Sequence, residues 1–317
     1  LFHRSHGVIK LTRLRSPDSV ADCAKRSRRA ILRQKGNEMA RDHLEFIQSQ
    51  VLSWITLPDT AARPGVACKV LSRDPDSGAV SVILKYPAGF EIGQPHYLDN
   101  DEEFFVLEGE IHIGNTVYGP QAYAYLPDGY PRGAMRAPDG AAVLTFFEGP
   151  HKNVFDGAKE FDRAALVERI AAGEQSWGDS VDPKVVGAGL EKLMLRLDEQ
   201  TGERTWLLTM GATESATTAP LETHPHVEEL FLLGGEISMP RGLLKRGAYF
   251  WRPGGIQHGP IGTRAGCTCF FRSKEGPFST DWTSHTETIV WDAPYRPTLP
   301  NALAHFGNAP YQGTDPY

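Results

Sequence analysis

From about Val66 onward, apolar residues come in short runs broken by Gly, Pro, Asp and Asn, the pattern of short strands joined by tight turns. SRDPDSG (72–78) and EQTGE (199–203) each sit between two apolar runs and read as hairpin turns. Two segments follow a different period. MARDHLEFIQSQVLSW (39–54) has helical spacing of apolar residues and no breaker. AKEFDRAALVERIAAG (158–173) places Ala164, Leu166, Val167 and Ile170 on one side of a helix. The pattern predicts two β-rich blocks within 39–157 and 190–317, joined by a helical linker over 158–189.

The blocks repeat one another. An ungapped shift of 126 residues lays Glu102-Glu103 on Glu228-Glu229 and VLEGEI (106–111) on LLGGEI (232–237). The same shift lays Ala122-Tyr123 on Ala248-Tyr249, and Pro127 and Gly129 on Pro253 and Gly255. Upstream, KVLSRDPDSGAVSVIL (69–84) resembles KLMLRLDEQTGERTWLL (192–208) at a slightly different shift. So long a period indicates a duplicated domain rather than a solenoid. Short strands without βα alternation indicate an all-β barrel or sandwich.

Charge divides the chain unevenly. Residues 1–38 carry ten basic and three acidic side chains, while the remainder carries 23 basic and 36 acidic, a net of −13. The basic head has three readings: a transit peptide, an interaction tail, or an over-extended gene start ahead of Met39. The last is favoured, and the head is set aside from the fold. An acidic body argues against nucleic acid as a partner. No apolar run of eighteen residues exists, so no membrane-spanning helix is expected. Cys23, Cys68, Cys267 and Cys269 form no disulfide framework, and Cys267 and Cys269 read as buried strand residues. GAGLEKL (187–193) falls short of a dinucleotide fingerprint.

In the second block, GAYFWRPGGIQH carries Gly247, Pro253, Gly255 and His258 at the spacing of the second cupin motif. Glu228 and Gly235 match the end of the first motif. The chain therefore resembles the cupin superfamily as a bicupin over roughly 66–150 and 190–280. EELFLLGGE and RPGGIQHGP are most similar to the cupin-like domain of anti-sigma factors, whose preceding zinc-binding helical domain has no counterpart in the sequence. The resemblance implies two tandem jelly-roll barrels with a few flanking helices. Inside such a barrel, alternate strand residues share one cavity, so a few side chains from neighbouring strands can surround one ion.

Aligned on Glu228 and Gly235, the motif puts His224 at its second histidine position and Glu222 at its first. The implied metal set is His224, Glu228 and His258, completed by Glu222, or by His226 if the loop is one step shorter. Whichever of Glu222 and His226 is not a ligand is the acid–base candidate. Tyr249, Trp251 and Gln257 are candidates to line the substrate pocket. The first block has His96, Leu98, Glu102 and Arg132 at the four matching positions. Leu98 cannot ligate and Arg132 is permanently charged. Arg132 is therefore expected either to pair with Glu102 or to grip a carboxylate.

The resemblance implies one divalent metal in the C-terminal barrel, with Fe(II) favoured and Zn or Mn as alternatives. It implies a small-molecule substrate and dioxygenase-type chemistry. Isomerase, lyase or hydrolase chemistry on Zn or Mn, and a non-catalytic sensory or storage role, stay open. A cytoplasmic location and a homodimer are compatible with it.

Overall fold

The computed structural model describes residues 41–179 and 190–317. The basic head and the GAGLEKL glycines lie outside them.

Two β-sheets with the same strand order carry the repeat. In the first, strands run Val167–Ala171, Ala122–Leu126, Glu102–Gly109, Ala141–Phe147, Val80–Tyr86, Ala67–Arg73 and Ile55–Thr56. In the second the order is Leu44–Gln48, Ala248–Arg252, Val227–Met239, Cys267–Lys274, Arg204–Met210, Glu191–Leu197 and Gly178–Asp179. The hairpin turns are copies down to their side chains. Asp74 Oδ1 accepts from the Asp76 and Ser77 amides at 2.9 and 3.1 Å, and Asp198 Oδ1 accepts from Gln200 and Thr201 at 2.9 and 3.2 Å. Such Asx turns are the reason for Asp at that place.

Neither expected helix forms. Residues 39–54 contain the strand Leu44–Gln48 and a 3-10 turn at Ser49–Val51, and 158–173 contains the strand Val167–Ala171. Among the described residues all helical segments are 3-10, at Ser49–Val51, Ala172–Glu174 and Asn301–Asn308. Every residue of Leu44–Gln48 is buried. A strand covered on both faces has no alternation, so its apolar content cannot be told from a short helix by periodicity.

These two strands also cross the expected domain boundaries. Leu44–Gln48 precedes the first barrel but pairs with the second, Ile47 opposite Tyr249. Val167–Ala171 precedes the second barrel but pairs with the first, Ile170 opposite Tyr123. Each half lends its leading strand to the other, so the division at 157/158 does not separate independent barrels.

Between the halves the two sheets pack face to face. Phe146 stacks on Phe270 at 5.5 Å, and Phe105 meets the same ring at 5.4 Å. Arg272 lies over Phe146 and bonds Glu103, Glu229 and Glu148 at 2.8, 2.7 and 2.6 Å. Strand alternation explains the repeated Glu-Glu pairs. Glu103 and Glu229 point into this interface, while Glu102 and Glu228 point into their own barrels.

Candidate metal centre

The second barrel brings three elements to its mouth. Glu222 is the last residue but one of the strand Thr218–Thr223, His224 follows that strand, and His258 follows the turn after Ala248–Arg252. Glu222 and His258 exchange two backbone hydrogen bonds of 2.9 Å, and the Gly255 amide donates to the His224 carbonyl at 2.7 Å. The PGG turn makes this docking possible. Gly255 takes φ +82°, and a Cβ on Gly254 would lie 2.3 Å from the Pro225 carbonyl oxygen.

Each histidine is held by its outer nitrogen. His224 Nδ1 lies 2.9 Å from the Ser279 carbonyl and His258 Nδ1 lies 3.0 Å from that of Ile256. A carbonyl only accepts, so Nδ1 carries a proton, and in the neutral ring Nε2 presents a lone pair. Both Nε2 atoms are buried with no hydrogen-bond partner among the described residues. His258 Nε2 nevertheless sits 3.1 Å from Glu222 Oε1, without hydrogen-bond geometry, and His224 Nε2 sits 4.0 Å from Glu222 Oε2. Two acceptors facing each other at this range repel unless a cation or proton lies between them. One ligand atom from each of Glu222, His224 and His258 falls within 4.8 Å of the others.

Glu228 is adjacent to this trio, 3.6 Å from each Nε2. Its other partner is Arg252, which also makes a two-pronged pair with Glu45 at 2.6 and 3.1 Å. Glu45 comes from the exchanged strand Leu44–Gln48. Burial opposes its ionisation, but the His43 hydrogen bond and the Arg252 charge outweigh burial and hold it far below the usual carboxylate range. Three carboxyl side chains (Glu45, Glu222 and Glu228) therefore face one guanidinium, beside two imidazoles. That balance fits a divalent cation, and a nitrogen–nitrogen–carboxylate donor set suits Fe(II), Mn(II) or Zn(II).

Several expected site residues stand elsewhere. Glu222, not His226, completes the cluster; the His226 ring packs against the backbone of Gly276. Tyr249 and Trp251 do not line the barrel. Alternation turns them outward, where Tyr249 Oη bonds Ser72 and Glu229 at 2.7 Å and Trp251 stacks under Arg41. Gln257 is exposed. The aromatic rings beside the cluster are Phe278, stacked on His224 at 4.4 Å, and Trp206, 4.9 Å from Phe278 and 5.2 Å from Phe271. Alternation along Ala248–Arg252 could have pointed to Arg252, two residues on from inward Phe250. Nothing local to Glu45 could have, because its strand is borrowed.

Cys267 and Cys269 are buried strand residues with sulfurs 3.9 Å apart. Cys267 lines a 510 Å³ surface groove that contains none of the cluster residues and no imidazole.

The first barrel reverses the polarity. Glu102 is paired with Arg132, as one of the two expectations had it, and also with Arg63 at 3.0 Å, a residue without a motif to mark it. His96 is buried beside them with Nε2 unpartnered.

The family model of the ChrR cupin-like domain matches residues 42–152 and 170–278. The chain belongs to this cupin family. No curated protein sequence matches it significantly. Among solved structures it is similar to a candidate dioxygenase from Nostoc punctiforme, with TM-score 0.69, 18% identity, and 80% of this chain and 93% of that one covered. It is also similar to salicylate 1,2-dioxygenase from Pseudoaminobacter salicylatoxidans, with TM-score 0.53, 11% identity, and 87% and 96% covered. An oxalate decarboxylase variant from Bacillus subtilis gives TM-score 0.50, 12% identity and 88% of each chain. At such identities these likenesses establish the bicupin fold. Among the described residues no helix is long and apolar enough to cross a membrane.

Proposed function

We propose that the C-terminal barrel of this bicupin holds one divalent metal and acts on a small organic substrate, with ferrous iron and dioxygenase chemistry as the specific reading. The observation that carries it is the pair of unpartnered imidazole nitrogens converging with Glu222 in a site that gathers three carboxyl side chains around one guanidinium. Glu222, His224 and His258 are the ligands, and Glu228 is a fourth within reach. A ferrous ion bound by so few protein groups supplies open positions for substrate and O2.

The chain's own residues do the positioning. The Ser279 and Ile256 carbonyls fix the two imidazole tautomers. Arg252 donates to the Glu228 carboxylate and holds it in place. Trp206, Phe271 and Phe278 form an apolar wall that suits a planar organic substrate and keeps water from its side of the site. Family membership favours one other reading, a sensory domain that binds metal and ligand without turnover.

Metal analysis of protein purified without chelators, followed by O2 uptake on a panel of hydroxybenzoates, catechols and diketones, tests the proposal. One iron per chain with substrate-dependent O2 uptake supports the enzyme. Stoichiometric metal with no turnover supports the sensory reading, and absence of bound metal refutes both.

A further inference from the structure

We propose that the N-terminal barrel is a binding site for a small monocarboxylate, gripped by the Nε–Nη2 edge of Arg132 with His96 at its side. The inference does not depend on a metal in the other barrel.

Ionised groups there do not balance. Arg63 and Arg132, both fully buried, meet a single carboxylate, Glu102. Burial and the two guanidiniums push His96 down, so it stays neutral, and burial does the same to His151. One positive charge therefore remains inside the barrel. An unpaired buried charge costs several kcal/mol in general, so a monovalent anion is the partner that the site lacks. Arg132 bears the deficit. Burial, aided by the charge of Arg63, pushes its guanidinium down despite Glu102, whereas Arg63 is pushed up.

The free donors have a specific shape. Arg132 Nη1 is taken by Glu102, but Nε and Nη2 are buried without a hydrogen-bond partner among the described residues. Nε–H and Nη2–H are the two parallel donors of the guanidinium edge, matched to the two oxygens of a carboxylate and not to a spherical halide. His96 is tied to the same spot, because the Arg132 amide donates to its carbonyl at 2.9 Å. Its Nδ1 faces the Gln94 carbonyl at 3.1 Å, so unpartnered Nε2 is a lone pair that accepts from a hydroxyl. Leu98 and Phe104, buried in the same core, give a carbon skeleton apolar neighbours. By register, Arg132 and Leu98 stand where His258 and His224 stand in the other barrel. The duplicated cavity has thus exchanged a cation's ligands for an anion's.

The test is calorimetric titration of the chelator-treated full chain with acetate, glycolate and chloride at matched ionic strength. Acetate is expected to bind saturably at one site, glycolate more tightly through its hydroxyl, and chloride more weakly than either. Arg132→Lys, which keeps the charge but loses the fork, should weaken acetate about 10- to 100-fold, while His258→Ala leaves it unchanged. Absence of saturable binding, chloride binding as tightly as acetate, or loss in His258→Ala but not in Arg132→Lys would overturn the proposal. Should Arg132→Lys not fold, Leu98→Glu supplies a carboxylate from the chain itself and must abolish acetate binding. Wild-type acetate affinity in that variant equally sinks the idea.

Discussion

Glu45 touches none of the candidate ligands, yet the charge balance gives it a share in metal binding. Consider Glu45→Gln. The residue is 3% exposed, and its carboxylate meets Arg252 through both oxygens, at 2.6 and 3.1 Å. The amide keeps the shape and one acceptor, so the structural loss is that of a charge-assisted bond, about 1.5–3 kcal/mol. Metal affinity should fall as well. Without Glu45, Arg252 turns its full charge on Glu228, and the carboxyl side chains facing that guanidinium drop from three to two. Outer-shell partners of metal ligands typically contribute about 10- to 100-fold in affinity, or about 1.4–2.7 kcal/mol. The assay is competitive titration of Mn(II) or Zn(II) against a chromophoric chelator, alongside urea unfolding of the metal-free protein. Glu103→Gln is the control, since that carboxylate is as buried but serves the inter-barrel Arg272. It should lower stability and leave metal affinity alone. If both variants lose stability and neither loses metal affinity, the charge-balance argument is wrong and Glu45 is only a structural anchor.

His258→Ala should remove the metal, read by elemental analysis at unchanged elution volume; retained stoichiometric metal would show that the site lies elsewhere. Gly254→Ala puts a methyl 2.3 Å from the Pro225 carbonyl oxygen. It should cost about 1–3 kcal/mol and weaken metal binding by moving the His224 loop, both measured in the same titrations. In acid, Glu45 and Glu102 have folded pKa values held below their ordinary 4.5, so the unfolded chain takes up their protons first. Urea midpoints should therefore begin to fall as pH drops through 6.5, where the unfolded chain protonates the buried imidazoles of His96 and His151, and fall further below 4.5, with the second fall shallower in Glu45→Gln.

Much of the fold could be read from residues that do the same work twice. Asp74 and Asp198 cap equivalent turns, and Glu102-Glu103 and Glu228-Glu229 each split between barrel and interface. Local chemistry of this kind repeats visibly because each copy must solve the same problem. The two leading strands escaped detection for the opposite reason. Leu44–Gln48 is buried on both faces and paired with residues some two hundred positions away, so neither its period nor its neighbours reveal it. His224, His258 and Glu222 were legible through motif spacing, though which of Glu222 and His226 closes the set depended on the path of one proline loop.

The misplacement of Tyr249 and Trp251 is a question of parity, and it bears on how the duplicated protein is built. A strand buried on both sides offers aromatic residues to two cores, and the sequence has no sign for which is the cavity. Here the odd positions of Ala248–Arg252 go to the interface between barrels, and Arg252 goes inward. In the first barrel, Leu126 occupies the place of Arg252, and the buried cation comes instead from Arg132, the counterpart of His258, and from Arg63. Both barrels thus kept the inward glutamate and an arginine on it, but from different directions. In the second, the arginine stands behind the glutamate and leaves the mouth to the imidazoles. In the first, it stands in the mouth itself. That relocation, together with Arg63 in the first barrel and Glu45 and Glu222 in the second, leaves a surplus of arginine around one glutamate and a surplus of carboxylate around the other, which is what the two proposed ligands would answer, while the shared Arg272–Glu103–Glu229 interface joins the halves.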